Sequence, residues 1–121
     1  MSGTDFDPIA IVIDWLDACR ERRLEDLLAL YAYQATLDCC TGERFVGRPG
    51  LCRYWAAKLR GATSTSFVLD EVYPEQDCIR LDYRDYDGAV VSTKFWFDAA
   101  GGIVRTLCTP IVQDGPNSQA A

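Results

Sequence analysis

Arg80 and Asp82, in the stretch CIRLDYRDYDGAVVSTKFWF from Cys78 to Phe97, are the pair whose types and spacing could do chemistry. Residues two apart on a strand share a face. A guanidinium beside a carboxyl can hold it in place or clamp an anion, and the carboxyl can then give or take a proton. Desolvation favours the neutral acid and the neighbouring cation favours the carboxylate, so their balance sets the role. Six cysteines (Cys19, Cys39, Cys40, Cys52, Cys78 and Cys108) offer a second chemistry. No CxxC spacing occurs and no basic partner for a thiol can be identified, so most are read as small buried hydrophobes. Histidine is absent, which removes Ser-His and Cys-His nucleophiles in their usual form and most zinc sites. No metal or cofactor is expected.

The 121 residues are enough for one domain with a single core, and 49% hydrophobic with 25% charged residues is ordinary globular composition. A net charge of −6 without a basic run gives no footprint for nucleic acid and disfavours anionic membranes. No apolar stretch is long enough to span a bilayer, and MSGTDFDP is polar and acidic where a secretory signal would be basic and then apolar. The expected location is therefore cytoplasmic.

Asp7-Pro8 suits the N-cap and first position of a helix running to about Arg22, with Val12, Trp15, Leu16 and Cys19 on one stripe. RLEDLLALY continues at helical spacing through Leu24, Leu27, Leu28 and Tyr31. ATLDCC reads as a strand with Leu37 and Cys39 on one face and Thr36, Asp38 and Cys40 on the other. After a turn at Thr41-Gly42, Leu51, Tyr54, Trp55 and Leu59 form the stripe of a third helix that ends at Gly61. Four strands follow, at about 65–73, 78–86, 89–97 and 103–112, and the ends (about 1–6 and 114–121) are expected to fray. The order predicts one α+β domain spanning residues 1–121, with three helices packed on a curved, mostly antiparallel sheet.

That order, with Tyr31, the run ATLDCCTGERFVGRPGLCRYW and the segment FDAAGGI before the last strand, resembles the nuclear transport factor 2-like superfamily in its SnoaL-like, ketosteroid-isomerase-like branch. The resemblance implies a cone in which helices close over the concave face of the sheet and leave a mostly apolar pocket. It also implies that the isomerase positions fall on Trp15, Cys39 and Thr93, so the base on the first strand is missing, and Asp38 beside it points to the opposite face. Arg80-x-Asp82 is similar to the arginine and acid of limonene epoxide hydrolases, but the groups that hold water there correspond to Leu37, Cys39 and Cys108.

A two-residue turn at Asp87-Gly88 would set Asp82 opposite Thr93, Arg80 opposite Phe95 and Cys78 opposite Phe97. With Thr93 at a cavity position of the resembling family, Arg80 and Asp82 then enter the cone as the catalytic pair. Trp15, Cys39, Trp55, Thr93, Phe95 and Cys108 line the binding site. Ile79, Leu81, Tyr83, Trp96 and Leu107 would cover the convex face and predict a homodimer through it. A slip of one residue reverses this, sending Arg80 and Asp82 to water. Cys39 and Cys108 facing each other as a nucleophile or redox pair is a lesser alternative, and a vicinal Cys39-Cys40 disulfide is disfavoured because neighbours on a strand diverge. The functional readings are an acid-base enzyme on a hydrophobic or cyclic metabolite, a non-catalytic binder of a small apolar or carboxylate ligand, and a purely structural dimeric module.

Overall fold

Asp7 caps the first helix as its place before Pro8 predicts: its carboxylate accepts from the N–H groups of Ile9 at 3.1 Å and Ala10 at 3.3 Å. The structure, a computed structural model, describes residues 6–63 and 65–111, and the expectation of frayed ends falls almost wholly outside them. Helix α1 is Pro8–Arg20, α2 is Leu24–Ala29 and α3 is Gly47–Arg60. The strands are β1 Tyr31–Asp38, β2 Arg44–Val46, β3 Leu69–Pro74, β4 Ile79–Arg84, β5 Val90–Phe97 and β6 Ile103–Pro110. They form one sheet in the order β2-β1-β6-β5-β4-β3, antiparallel except for β1 beside β6. No helix among the described residues is long and apolar enough to cross a membrane.

Two polar devices fix the helices on the sheet. Arg48, at the start of α3, donates to the carbonyls of Leu28 at 2.7 Å and Tyr31 at 3.2 Å, tying together α2, β1 and α3. Arg22 donates to the carbonyls of Leu59 and Ala62 at the far end of α3. The Leu28 and Leu59 carbonyls lie in the last turns of α2 and α3, where positive charge is favoured. Tyr31, expected at the end of the second helix, instead opens β1 and is buried.

The β4–β5 hairpin overturns the expected register. Its loop has three residues, not two. The N–H of Asp85 donates to the Ala89 carbonyl at 2.7 Å, that of Gly88 to the Asp85 carbonyl at 2.9 Å, and Gly88 has φ +87°. A turn closed by a left-handed glycine is the common three-residue solution, and the extra residue shifts every pair by one. Asp82 therefore lies opposite Ser92, Leu81 opposite Thr93, Arg80 opposite Lys94 and Ile79 opposite Phe95.

Ile79, Leu81 and Tyr83 are consequently core residues. With them in the interior, the apolar set that suggested a dimer interface is reduced to Trp96 and Leu107, both half-buried on the convex face. That face carries ion pairs. Asp38 accepts from Arg44 at 2.7 Å and from Arg105 at 2.9 Å, and the Arg105 guanidinium lies 5.0 Å from the Trp96 ring centroid. Glu75 bridges Arg80 and Lys94, at 3.8 and 3.3 Å. The convex surface thus carries a set of ion pairs around Trp96 and Leu107.

Candidate functional site

Trp15 from α1 fills the centre of the cone. Its ring meets Phe95 at 4.9 Å and both Trp55 and Tyr83 at 5.5 Å between centroids, each nearly edge to face. Such pairs favour this geometry and add to the area they bury. Trp15, Trp55, Thr93, Phe95 and Cys39 are all buried on the inner side as expected, and Cys108 borders the same space. The cavity that Trp15, Trp55, Tyr83, Thr93 and Cys108 help to line is about 10 Å³, room for about one water. Among the described residues, aromatic rings occupy the interior that was expected to be roomy.

Polar atoms in this interior are matched to one another. The Tyr31 hydroxyl accepts from the indole N–H groups of Trp15 at 3.1 Å and Trp55 at 3.3 Å. Burial pushes its pKa up to about 12, against the hydrogen bonds from Trp15, Thr106 and Trp55. The Tyr83 hydroxyl bonds Thr93 Oγ1 at 3.0 Å, and burial, followed by the charge of Asp85, drives its pKa well upward. Both phenols stay neutral, and both serve as internal hydrogen-bonding groups.

Arg80 and Asp82 meet as a pair, with Nε to Oδ1 at 2.9 Å, but on the convex side, away from the cone. The hydrogen bond to Asp82 raises the Arg80 pKa, outweighing burial, and its guanidinium also lies over the Tyr73 ring at 5.4 Å. This is the one-residue slip in physical form, and it removes both side chains from the interior. Asp38 likewise faces outward, as its parity predicted. Hydrogen bonds from Arg44, first, and Arg105 hold its carboxyl below the usual range, although burial opposes them.

A wider opening than the inner cavity, one of several at the surface, lies beside α3. Phe45, Arg53, Tyr54, Ala57, Lys58 and Tyr86 line a groove of about 320 Å³. Phe45 and Tyr54 stack obliquely with centroids 4.9 Å apart. The Lys58 ammonium lies 4.8 Å from the Tyr54 ring centroid and 4.3 Å from that of Tyr86, and its Nζ is 3.5 Å from Asp85 Oδ2. Lys58 is therefore neutralised and anchored from within. Arg53, one turn away, is exposed and has no hydrogen-bond or ion-pair partner among the described residues. Tyr54 also borders the small inner cavity, so one ring separates the two spaces. Burial, with the hydrogen bond to Cys39, drives its hydroxyl pKa upward.

These groove residues were legible only in part. Tyr54 and Lys58 are four apart on one helix, but Tyr54 reads as part of an apolar stripe, and nothing local brings Phe45 or Tyr86 to them. The cysteines also depart from expectation: Cys40 and Cys108 form a disulfide, while Cys19, Cys39, Cys52 and Cys78 are thiols. Cys40 lies two residues past the end of β1, where the chain turns, so strand alternation no longer directs its side chain.

Helices held over the concave face of a curved, mostly antiparallel sheet are the architecture that the resemblance implied, to which the structure adds β2 and the parallel β1–β6 pair. Among solved structures, a SnoaL-like protein of unknown function from Burkholderia thailandensis superposes with a TM-score of 0.76 at 20% identity, covering 84% of this chain and 92% of that one. The chain has the cone fold of SnoaL-like, nuclear transport factor 2-like proteins. A Sinorhizobium meliloti protein provisionally assigned as a polyketide cyclase gives a TM-score of 0.72 at 18% identity over 90% of this chain and 100% of its own. A de novo designed protein with a curved sheet also gives 0.72, at 12% identity over 93% of this chain and 92% of its own. A shared fold does not by itself fix a chemistry. No protein-family model and no curated protein matches the sequence.

Proposed function

We propose that the protein is a non-catalytic binder of a small molecule with a flat apolar body and a carboxylate, held in the groove of Phe45, Arg53, Tyr54, Ala57, Lys58 and Tyr86. The observation that carries this reading is a groove of about 320 Å³ with three aromatic walls and a cation, Arg53, without a protein partner among the described residues. Ligand sites typically combine an apolar wall with a few orienting polar groups, and a planar guanidinium suits a carboxylate. Lys58, already paired with Asp85, sits against two of the aromatic walls without needing a ligand to neutralise it. The likeness to a SnoaL-like protein and to a provisional polyketide cyclase supports a small-molecule ligand.

Titration with 2-naphthoate and with neutral 2-naphthylmethanol, followed residue by residue by amide NMR shifts, tests the reading. The carboxylate should bind more tightly, with shifts confined to α3, Phe45 and Tyr86. Arg53→Gln should weaken the carboxylate roughly tenfold, about 1.4 kcal/mol, and leave the alcohol unchanged. Equal affinities in both proteins would refute it. The filled cone interior favours a second reading, a purely structural module, and absence of any saturable shift in the groove would select that reading.

A further inference from the structure

The junction of β1 and β6 brings three cysteines within reach of one another. The parallel register sets Thr36 beside Arg105, Leu37 beside Thr106 and Asp38 beside Leu107. Cys39 and Cys108 are the next residues after the last registered pair, Asp38 and Leu107. Adjacent strands lie about 4.8 Å apart, inside the Cα separation that a disulfide accepts. Yet Cys108 is bonded to Cys40, whose Cα is 4.7 Å away. The chain turns here, with the Gly42 N–H donating to the Cys39 carbonyl at 2.8 Å, and the turn brings Cys40 to the same sulfur. Cys108 thus has two candidate partners, one bonded and one free.

We propose that Cys108 exchanges its disulfide partner between Cys40 and Cys39, making this junction a thiol–disulfide exchange site open to low-molecular-weight thiols. Cys39 is suited to the attack. The Thr41 hydroxyl donates to its Sγ at 3.4 Å, and although burial raises its pKa, the hydrogen bonds from Thr41 and then Tyr54 bring it below the usual thiol value. The attacking species is the thiolate. In the internal step, the Cys39 thiolate forms a bond to Cys108 Sγ, the Cys40–Cys108 bond breaks, and its electron pair leaves on Cys40, which takes up the proton Cys39 released. One disulfide and one thiol remain on each side, so no oxidant is consumed. A small thiol enters by attacking Cys108, expelling Cys40 as thiolate, and is displaced in turn by Cys39.

The test is mapping of paired and free sulfurs before and after incubation with a trace of reduced glutathione. Acid quenching in denaturant with N-ethylmaleimide marks the free thiols. Reduction and iodoacetamide then mark the bonded ones, and fragment ions separate Cys39 from Cys40. Incubation should move part of the iodoacetamide label from Cys40 to Cys39, with maleimide appearing on Cys40. Maleimide alone on Cys39 at every time point overturns the proposal. Independently, Cys40→Ser held in glutathione disulfide should form a Cys39–Cys108 bond. Recovery of Cys39 and Cys108 as free thiols or as separate glutathione adducts overturns it too.

Discussion

Replacing Tyr31 by phenylalanine removes one oxygen and leaves two buried donors without an acceptor. Trp15 is 1% and Trp55 3% exposed, and both indole N–H groups end on the Tyr31 hydroxyl. A buried donor left unmatched costs about 1–3 kcal/mol, so two cost about 2–6 kcal/mol. The neighbouring cavity of about 10 Å³, enlarged by the missing oxygen, can admit one water and bridge part of the loss. The expected value is therefore about 2–4 kcal/mol, against about 6–18 kcal/mol for a whole domain of this length. Urea unfolding followed by indole fluorescence reads it as a midpoint lowered by about 1–2 M, taking a slope of roughly 2 kcal/mol per molar. Tyr83→Phe is the internal control. It breaks one bond, to Thr93, whose hydroxyl keeps other orientations, and should cost about 1 kcal/mol. If Tyr31→Phe costs no more than Tyr83→Phe, the two indoles do not depend on that oxygen and the reasoning fails.

Leu81→Asp should abolish folding, because Leu81 is fully buried opposite Thr93 and an unpaired carboxylate there loses its hydration; a soluble protein with native circular dichroism would refute the inward register. Asp38→Asn should cost about 1–2 kcal/mol at neutral pH, from lost charge-assisted bonds to two partly exposed arginines. Since the folded carboxyl titrates below its ordinary 3.8, its stabilisation is complete above that value and is lost as pH falls through the folded pKa. Chemical unfolding at a series of pH values should therefore show the Asp38→Asn penalty disappearing under acid, and a penalty unchanged down to the lowest pH would count against the pairing.

The helices and the class of fold could be read in the sequence because each signal was local: a cap at Asp7-Pro8, an apolar stripe through Leu51, Trp55 and Leu59, alternation through Leu37 and Cys39. The hairpin could not be settled locally. Asp87-Gly88 fits the centre of a two-residue turn or the last two positions of a three-residue loop, and the choice reverses the face of every residue from Ile79 to Arg84. Burial makes that choice, since the interior accepts Ile79, Leu81 and Tyr83 and leaves Arg80 and Asp82 to pair on the other face, where Asp82 is itself covered. The groove was hidden for another reason. Phe45, Tyr54 and Tyr86 come from β2, α3 and the hairpin loop, and only tertiary packing collects them.

The place of β6 between β1 and β5 has a consequence for how the chain is made. Ile103, the neighbour of Tyr31, is translated 72 residues after it, an interval of about 4–14 s at ordinary elongation rates. Until then β1 has only the three residues of β2 beside it, and one side of its backbone, with Cys39 and Cys40 at its end, awaits a partner. Closing so long a loop is slow relative to forming helices or hairpins. The meander β3-β4-β5 can therefore assemble first, leaving two open edges that the last strand joins as it arrives. A nascent chain stalled before Ile103 is the form most exposed to pairing with another copy of itself, and it is the form on which a chaperone would act.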